Sequence, residues 1–147
     1  MKKIVSIILL IVLTTTLLAG CGGTAQSANE IKIGINYELS GKVATYGQSS
    51  VIELAIEQIN AAGGINGKKI VPVKYDNKSD PAEATTLATK LMTQDKVVAV
   101  LGPATSGNFK ATIPVALKNK ISVASGSATT DDVTVDASGV KEYAFRI

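Results

Sequence analysis

Apolar and polar positions alternate along most of this chain with two recurring periods. Ile31-Lys32-Ile33-Gly34-Ile35 alternates apolar with small or polar residues, the period of two that marks a strand. Over residues 48–62 the period changes. Val51, Leu54, Ala55, Ile59 and Ala62 recur at three and four, with Glu53, Glu57 and Gln58 on the remaining surface, which predicts a helix burying that stripe. Gly63-Gly64 supplies the stop, and Asn66-Gly67 predicts a tight turn. Residues 70–75 read as a second strand, and Pro72 inside it favours an edge position or a strand start. Asp80-Pro81-Ala82-Glu83 is a helix start, with Asp80 capping, Pro81 in the first turn and Glu83 placed to reach back. Ala84, Leu87, Ala88, Leu91 and Met92 mark its buried stripe.

Residues 96–101, Lys96 followed by the continuous apolar run Val97 to Leu101, predict a strand covered on both faces. Gly102-Pro103 ends it. A third helix is predicted from Ser106 to about Lys118, with Pro114 as a kink or restart point. Ile121-Ser122-Val123 reads as a fourth strand. The polar stretch 125–138 allows one helical turn near Asp131, and 143–147 begins another strand. Strands and helices in this alternation make right-handed βαβ units. The expected fold class is therefore α/β: a doubly wound parallel sheet with helices on both faces.

The first residues follow a different rule. Met1-Lys2-Lys3 is a short positive segment, and the apolar run that follows is broken only by Ser6 and is short for a permanent membrane span. Leu18-Ala19-Gly20-Cys21 resembles the bacterial lipobox, in which small residues precede a cysteine that is lipidated and becomes the new N-terminus. The expected organisation is a lipoprotein signal peptide over 1–20, a small, polar tether over 21–29 and a folded domain over 30–147. Two acyl chains and a third on the amine of Cys21 would anchor the domain to the outer face of the cell membrane.

Composition narrows the chemistry. The 147 residues are 46% hydrophobic, 18% charged and 4% aromatic, so the chain can bury enough surface to fold. There is no histidine and one cysteine, which removes Ser-His-Asp and Cys-His machinery, histidine metal sites and any disulfide within the chain. Of the 15 basic residues, Lys2 and Lys3 belong to the leader, so 13 face 12 acidic residues in the remainder. No electrostatic footprint for nucleic acid is left. Dinucleotide and P-loop fingerprints also fail: Tyr37-Glu38-Leu39-Ser40-Gly41 follows the first strand, and Ala62, Gly67-Lys68-Lys69 lacks the required glycine and hydroxyl. No cofactor is expected, and capture of a solute suits the chain better than catalysis.

In an open parallel sheet ligands bind beyond the carboxyl ends of the strands. Three loops leave those ends, at 36–47, 102–108 and 124–130, and all are rich in hydroxyls and glycine. Ser106 stands at a predicted helix start, where backbone amides and the dipole favour an anion. Thr129 lies two residues beyond Ser127 in the next loop. Such a site suits one carboxylate held by hydroxyls and amides, with Tyr46 able to close over an apolar side chain. Each residue also has a plain structural reading: Ser106 as a helix cap, Thr129 and Thr130 as turn residues, Tyr46 as a half-buried helix-entry residue. Asp76, without the glycines of a dinucleotide site, reads as a loop carboxylate.

The stretch from Ile31 to Ile147 resembles the first half of the leucine/isoleucine/valine-binding family, type I periplasmic binding proteins that serve ATP-driven importers. The matching residues are Leu39-Ser40-Gly41 with Val43-Ala44-Thr45-Tyr46-Gly47, and Ile59-Asn60-Ala61-Ala62-Gly63-Gly64-Ile65-Asn66-Gly67. Tyr75-Asp76-Asn77 with Asp80-Pro81, Gly102-Pro103-Ala104-Thr105-Ser106 and Ala128-Thr129 complete the match. The resemblance implies that Ser106 and Thr129 hold a ligand carboxylate, that the backbone carbonyl of Ser127 takes an ammonium, and that Tyr46 lines the pocket. It implies an ABC permease and ATPase as partners, and a ligand that is a branched-chain amino acid, another amino acid or a small amide. The same fold also serves ligand-sensing receptors. Lys42 departs from the family's usual proline, and Tyr37-Glu38 adds a bulky and an acidic group near the site. Family members have two lobes that close on the ligand. On this resemblance the chain holds most of the first lobe and is half of a clamp.

Overall fold

A computed structural model describes residues 29–44 and 49–147. The leader and tether, with Cys21, and the loop residue Tyr46 lie outside the described residues. In chain order the elements are β1 (Glu30–Tyr37), α1 (Ser50–Ala61), β2 (Lys69–Asp76), α2 (Pro81–Thr93), β3 (Ala99–Leu101), α3 (Ser106–Asn119), β4 (Ser122–Ser125), a 3-10 turn (Asp131–Val133), β5 (Val135–Asp136), β6 (Gly139–Val140) and β7 (Ala144–Arg146). Five strands pair in the order β2-β1-β3-β4-β7, all parallel. The chain steps outward from β1 to β2, then crosses back over β1 to build β3 on the other side. The order therefore reverses between β1 and β3, the place where an open parallel sheet leaves a crevice at its carboxyl rim. β5 and β6 form a small antiparallel hairpin that the polar composition of 125–138 did not announce.

Side-chain alternation along β1 shows how the layers form. Ile33 and Ile35 point to α1 and pack with Ile52 and Ile56. Gly34 faces the other way: a Cβ there would stand 3.0 Å from Leu91 of α2, so the missing side chain lets that helix sit close on the sheet. α2 and α3 cover this second face, with Ala88, Leu91, Phe109, Ile113 and Ala116 packed on Val100, Val123 and Ala144. The doubly wound arrangement expected from the alternation of elements is present.

Several local expectations hold. Pro72 sits in the edge strand β2, where its missing amide costs no ladder bond to a further strand. Asn66 and Gly67 have φ of 51° and 76°, and Ile65 and Lys68 exchange both backbone hydrogen bonds across them. The Asp80 carboxylate accepts the Glu83 amide at 2.8 Å, with Pro81 opening the helix.

Others are corrected. Glu83 does not reach back to Asp80, whose amide instead meets the Asn77 carbonyl, while Glu83 pairs with Lys78. The stripe expected to be buried on α1 faces outward: Val51 is 67% and Leu54 54% exposed, and the buried line is Ile52 and Ile56. The reason lies one turn further on. Asn60 hydrogen-bonds both the carbonyl and the amide of Ile70, at 2.8 and 2.7 Å, stitching the helix to the edge of the sheet. Ile52, Ile56 and Asn60 share one helix face, so that stitch sets the rotation. β3 is also shorter than the apolar run, and it is covered fully on one face only. Val100 is buried against α2 and α3, but Ala99 and Leu101, which point to the opposite face, are only half-buried. α3 runs through Pro114 as a single helix.

Candidate functional site

At the carboxyl rim the loops after β3 and β4 are joined by three hydroxyls. Ser125, the last residue of β4, is fully buried; its Oγ donates to the Pro103 carbonyl at 2.7 Å and accepts the Ala128 amide at 3.1 Å. Ser127 donates to the Ala104 carbonyl at 2.9 Å. Ser106 Oγ accepts the backbone amides of Thr129 and Thr130, at 3.0 and 3.3 Å. From the end of β7, Arg146 donates to the carbonyls of the same two threonines at 3.1 and 3.0 Å. The 127–130 loop is thus held from both sides.

Ala104, Thr105, Ser106, Ser127 and Thr129 line one hollow of about 270 Å³. Three of the four ligand-site candidates read from the sequence therefore meet at one place, and Tyr46 lies outside the described residues. The capping alternative for Ser106 does not hold: Thr105 occupies the cap position, and Ser106 is the first helical residue. Thr105 does not cap with its own side chain either, because its hydroxyl donates to Glu38 at 2.8 Å. Nor is the Thr129 amide held out for a ligand, since Ser106 takes it.

The hollow offers mostly donors. A hydroxyl oxygen that already accepts two amides directs its own O–H outward. The first-turn amides of an α-helix have no intrahelical acceptor, so those of Ser106 and Gly107 add to that set. Among the described residues no donor reaches the Ser127 carbonyl, which stands at the same hollow as the acceptor. The donors suit a carboxylate and the carbonyl an ammonium. No cluster of three or more metal-ligating side chains occurs among the described residues. Other hollows of similar size lie between α2 and α3 and at the amino ends of β1 and β2, both away from this rim.

Two carboxylates shape the approach to the site; in the sequence Asp76 read only as a loop carboxylate and Glu38 only as an acidic group near the site. Asp76, at the end of β2, accepts the amides of Leu39, Ser40 and Lys78 and the Ser40 hydroxyl, so it holds the loop that leaves β1. Burial pushes its pKa up, but the bonds from Ser40, Lys78 and Leu39 outweigh that and hold it below the ordinary carboxylate value. The signal was its position at a strand end opposite Ser40-Gly41. The second is Glu38, fully buried and bonded to the start of α3. Beside it, burial and then the neighbouring Glu38 charge raise the Tyr37 phenol above its ordinary value. Ser125 carried no signal beyond its membership of the third loop.

A fold with a reversed strand order and a donor-lined hollow at its carboxyl rim is the architecture of a ligand-binding module. A family model described as periplasmic binding protein matches residues 30–145, and the chain belongs to that family. It is 36% identical to the Leu/Ile/Val/Thr-binding protein of Salmonella typhimurium over 81% of this chain and 34% of that protein. It is 34% identical to the leucine-, isoleucine-, valine-, threonine- and alanine-binding protein of Pseudomonas aeruginosa over 80% of this chain and 32% of that protein. Among solved structures it is similar to a branched-chain amino acid transporter substrate binding protein from Streptococcus pneumoniae in complex with isoleucine, with 47% identity and a TM-score of 0.74 over 80% of this chain and 33% of that one. The chain thus spans about a third of the length of the relatives it matches. The family is one of binding proteins, not enzymes.

Proposed function

We propose that the chain forms the first, cradling lobe of an extracytoplasmic binding protein that captures a branched-chain amino acid for an ABC importer. The observation that carries this reading is the meeting of Ser106, Ser127 and Thr129 at one donor-lined hollow on the carboxyl rim. In it, the Ser106 hydroxyl and the first amides of α3 receive the ligand carboxylate. The Thr129 side chain shares that carboxylate, the Ser127 carbonyl receives the ammonium, and Tyr46 covers the side chain. The names of the similar proteins support the ligand class. Lipid attachment at Cys21 would keep the domain at the outer face of the membrane, close to its permease.

The test is a titration of the isotope-labelled chain with L-isoleucine, followed by two-dimensional amide spectra. We expect saturable shifts at Ser106, Gly107, Ser127 and Thr129, and weak affinity, because one lobe cannot enclose the ligand and exclude water. Shifts centred elsewhere, or none, would refute the assignment of the site. Micromolar affinity would refute the half-clamp part alone. For the anchor, Cys21→Ala should abolish incorporation of labelled palmitate in a bacterial host; unchanged labelling refutes it.

A further inference from the structure

Glu38 is fully buried and lies at the exit of β1, on one side of the crevice where the strand order reverses. Its carboxylate crosses to the loop after β3 on the other side. Oε2 accepts the Ala104 amide at 2.9 Å, and Oε1 accepts the Thr105 amide, the Thr105 hydroxyl and the Asn108 side chain, at 3.2, 2.8 and 2.9 Å. Four donors converging on two oxygens match an ionised carboxylate, which only accepts. Behind it a line of buried amides continues from Asn108 to Asn77, from Asn77 to Asn36, and from Asn36 to the Ala84 carbonyl of α2. The charge is therefore built in and held from several sides.

Its position matters because of what α3 lacks. α2 supplies its own acidic groups at its start, Asp80 and Glu83. α3 has no acidic residue in its first turn. Glu38 provides that charge from another strand, at the same helix start that faces the hollow of Ser106, Ser127 and Thr129. A helix start carries roughly half a unit of positive charge. A full negative charge beside it reverses the local balance, so a second bare anion arriving at Ser106 meets repulsion. An anion that brings its own ammonium does not, because the cation also feels Glu38.

We infer that Glu38 is a specificity-determining residue of this site, whose buried carboxylate across the crevice makes the cradle take the carboxylate of a net-neutral zwitterion in preference to a bare anion. The inference rests on the site assignment proposed above. It is tested with two ligands of nearly the same shape, L-isoleucine and 3-methylpentanoate, which lacks the ammonium. Both are titrated into the wild-type chain and into Glu38→Gln, and the amide shifts of Ser106 and Thr129 give each affinity. Wild type should favour isoleucine by well over tenfold, and Glu38→Gln should lower that preference about tenfold, the size expected for one charge at short range in a partly solvated site. A purely structural role would weaken both ligands together and leave the ratio unchanged, and a ratio within twofold of wild type overturns the inference. Asn108→Ala removes one donor and keeps the charge, so its ratio should match wild type; a shift equal to that of Glu38→Gln also overturns it. Should Glu38→Gln not fold, the wild-type comparison still decides: equal or tighter binding of 3-methylpentanoate overturns the inference. If neither ligand moves Ser106, Ser127 or Thr129 in wild type, the site assignment itself fails and the inference falls with it.

Discussion

Ser125→Ala separates the scaffold of the site from its ligand contacts. The Oγ of Ser125 is buried, and in its absence the Pro103 carbonyl loses a donor at 2.7 Å while the Ala128 amide loses an acceptor at 3.1 Å. Pro103 and Ala128 are themselves buried, so water does not readily replace either partner. Leaving a buried polar group unpaired costs about 1–3 kcal/mol, and two such groups with little lost packing give about 2–6 kcal/mol. For a domain of about this length, 1 kcal/mol lowers the melting temperature by about 4 °C, so Ser125→Ala should melt about 8–24 °C below wild type. Calorimetry or circular dichroism at a fixed pH reads this directly. Amide exchange localises it, since Ala128 and the 127–130 loop should lose protection first. A fall of less than about 2 °C with Ala128 protection intact would refute the reasoning, because the loops would then be joined by something other than this hydroxyl.

Three further substitutions probe other contacts. Gly102→Ala places a Cβ 2.3 Å from the Asn36 carbonyl oxygen and 2.6 Å from the Tyr37 ring, at a φ of +88°. It should destabilise the chain by about 3 kcal/mol or more, read as a denaturation midpoint, and a neutral result would refute the close approach of the two loops. Ser106→Ala should cost about 1 kcal/mol or less in stability, because the Thr129 and Thr130 amides are exposed and can turn to water. It should nonetheless weaken isoleucine binding at least tenfold; equal affinity by titration would remove Ser106 from the site. Asp76 has a native pKa below its unfolded value, so its contribution is present above about pH 4 and is lost as pH falls through the native value. The Leu39 and Ser40 amides should therefore exchange faster, relative to the intrinsic rate, below about pH 4, and Asp76→Asn should remove that pH dependence.

What the sequence made legible and what it hid follow from how each signal arises. The parallel sheet and its helices were legible because alternation, capping at Asp80-Pro81 and the Asn66-Gly67 turn are local, and the structure keeps them. The rotation of α1 was not. That helix is apolar on more than one face, and the deciding contact, Asn60 to the backbone of Ile70, joins a side chain to a strand edge that periodicity does not describe. The hairpin of β5 and β6 was hidden in a polar stretch, since its two-residue strands bury no side chain. At the site, Ser106, Ser127 and Thr129 stood out as hydroxyls on rim loops. Glu38 was visible as an acidic residue near the site, but its role was hidden, because its four donors, on Ala104, Thr105 and Asn108, lie 66 to 70 residues away in the chain.

The hydroxyls of the rim divide the labour by what each has already accepted. Ser125 is saturated: it donates to the Pro103 carbonyl and accepts the Ser127 and Ala128 amides, and nothing of it is left for a ligand. Ser127 spends its proton on the Ala104 carbonyl, so it can offer a ligand only acceptors, its hydroxyl lone pairs and its backbone oxygen. Ser106 takes two amides and keeps its proton. A hollow bounded by one outward O–H, the open amides of a helix start and one carbonyl therefore has a fixed polarity, donors on the α3 side and an acceptor on the β4 side. A molecule that carries an oxyanion and a cation a few bonds apart satisfies both sides at once. A neutral alcohol or a sugar would leave the carbonyl or the helix start without a charged partner. On the proposed assignment of the site, the order of hydrogen-bond saturation, more than the mere presence of serine and threonine, is what would suit this rim to an amino acid.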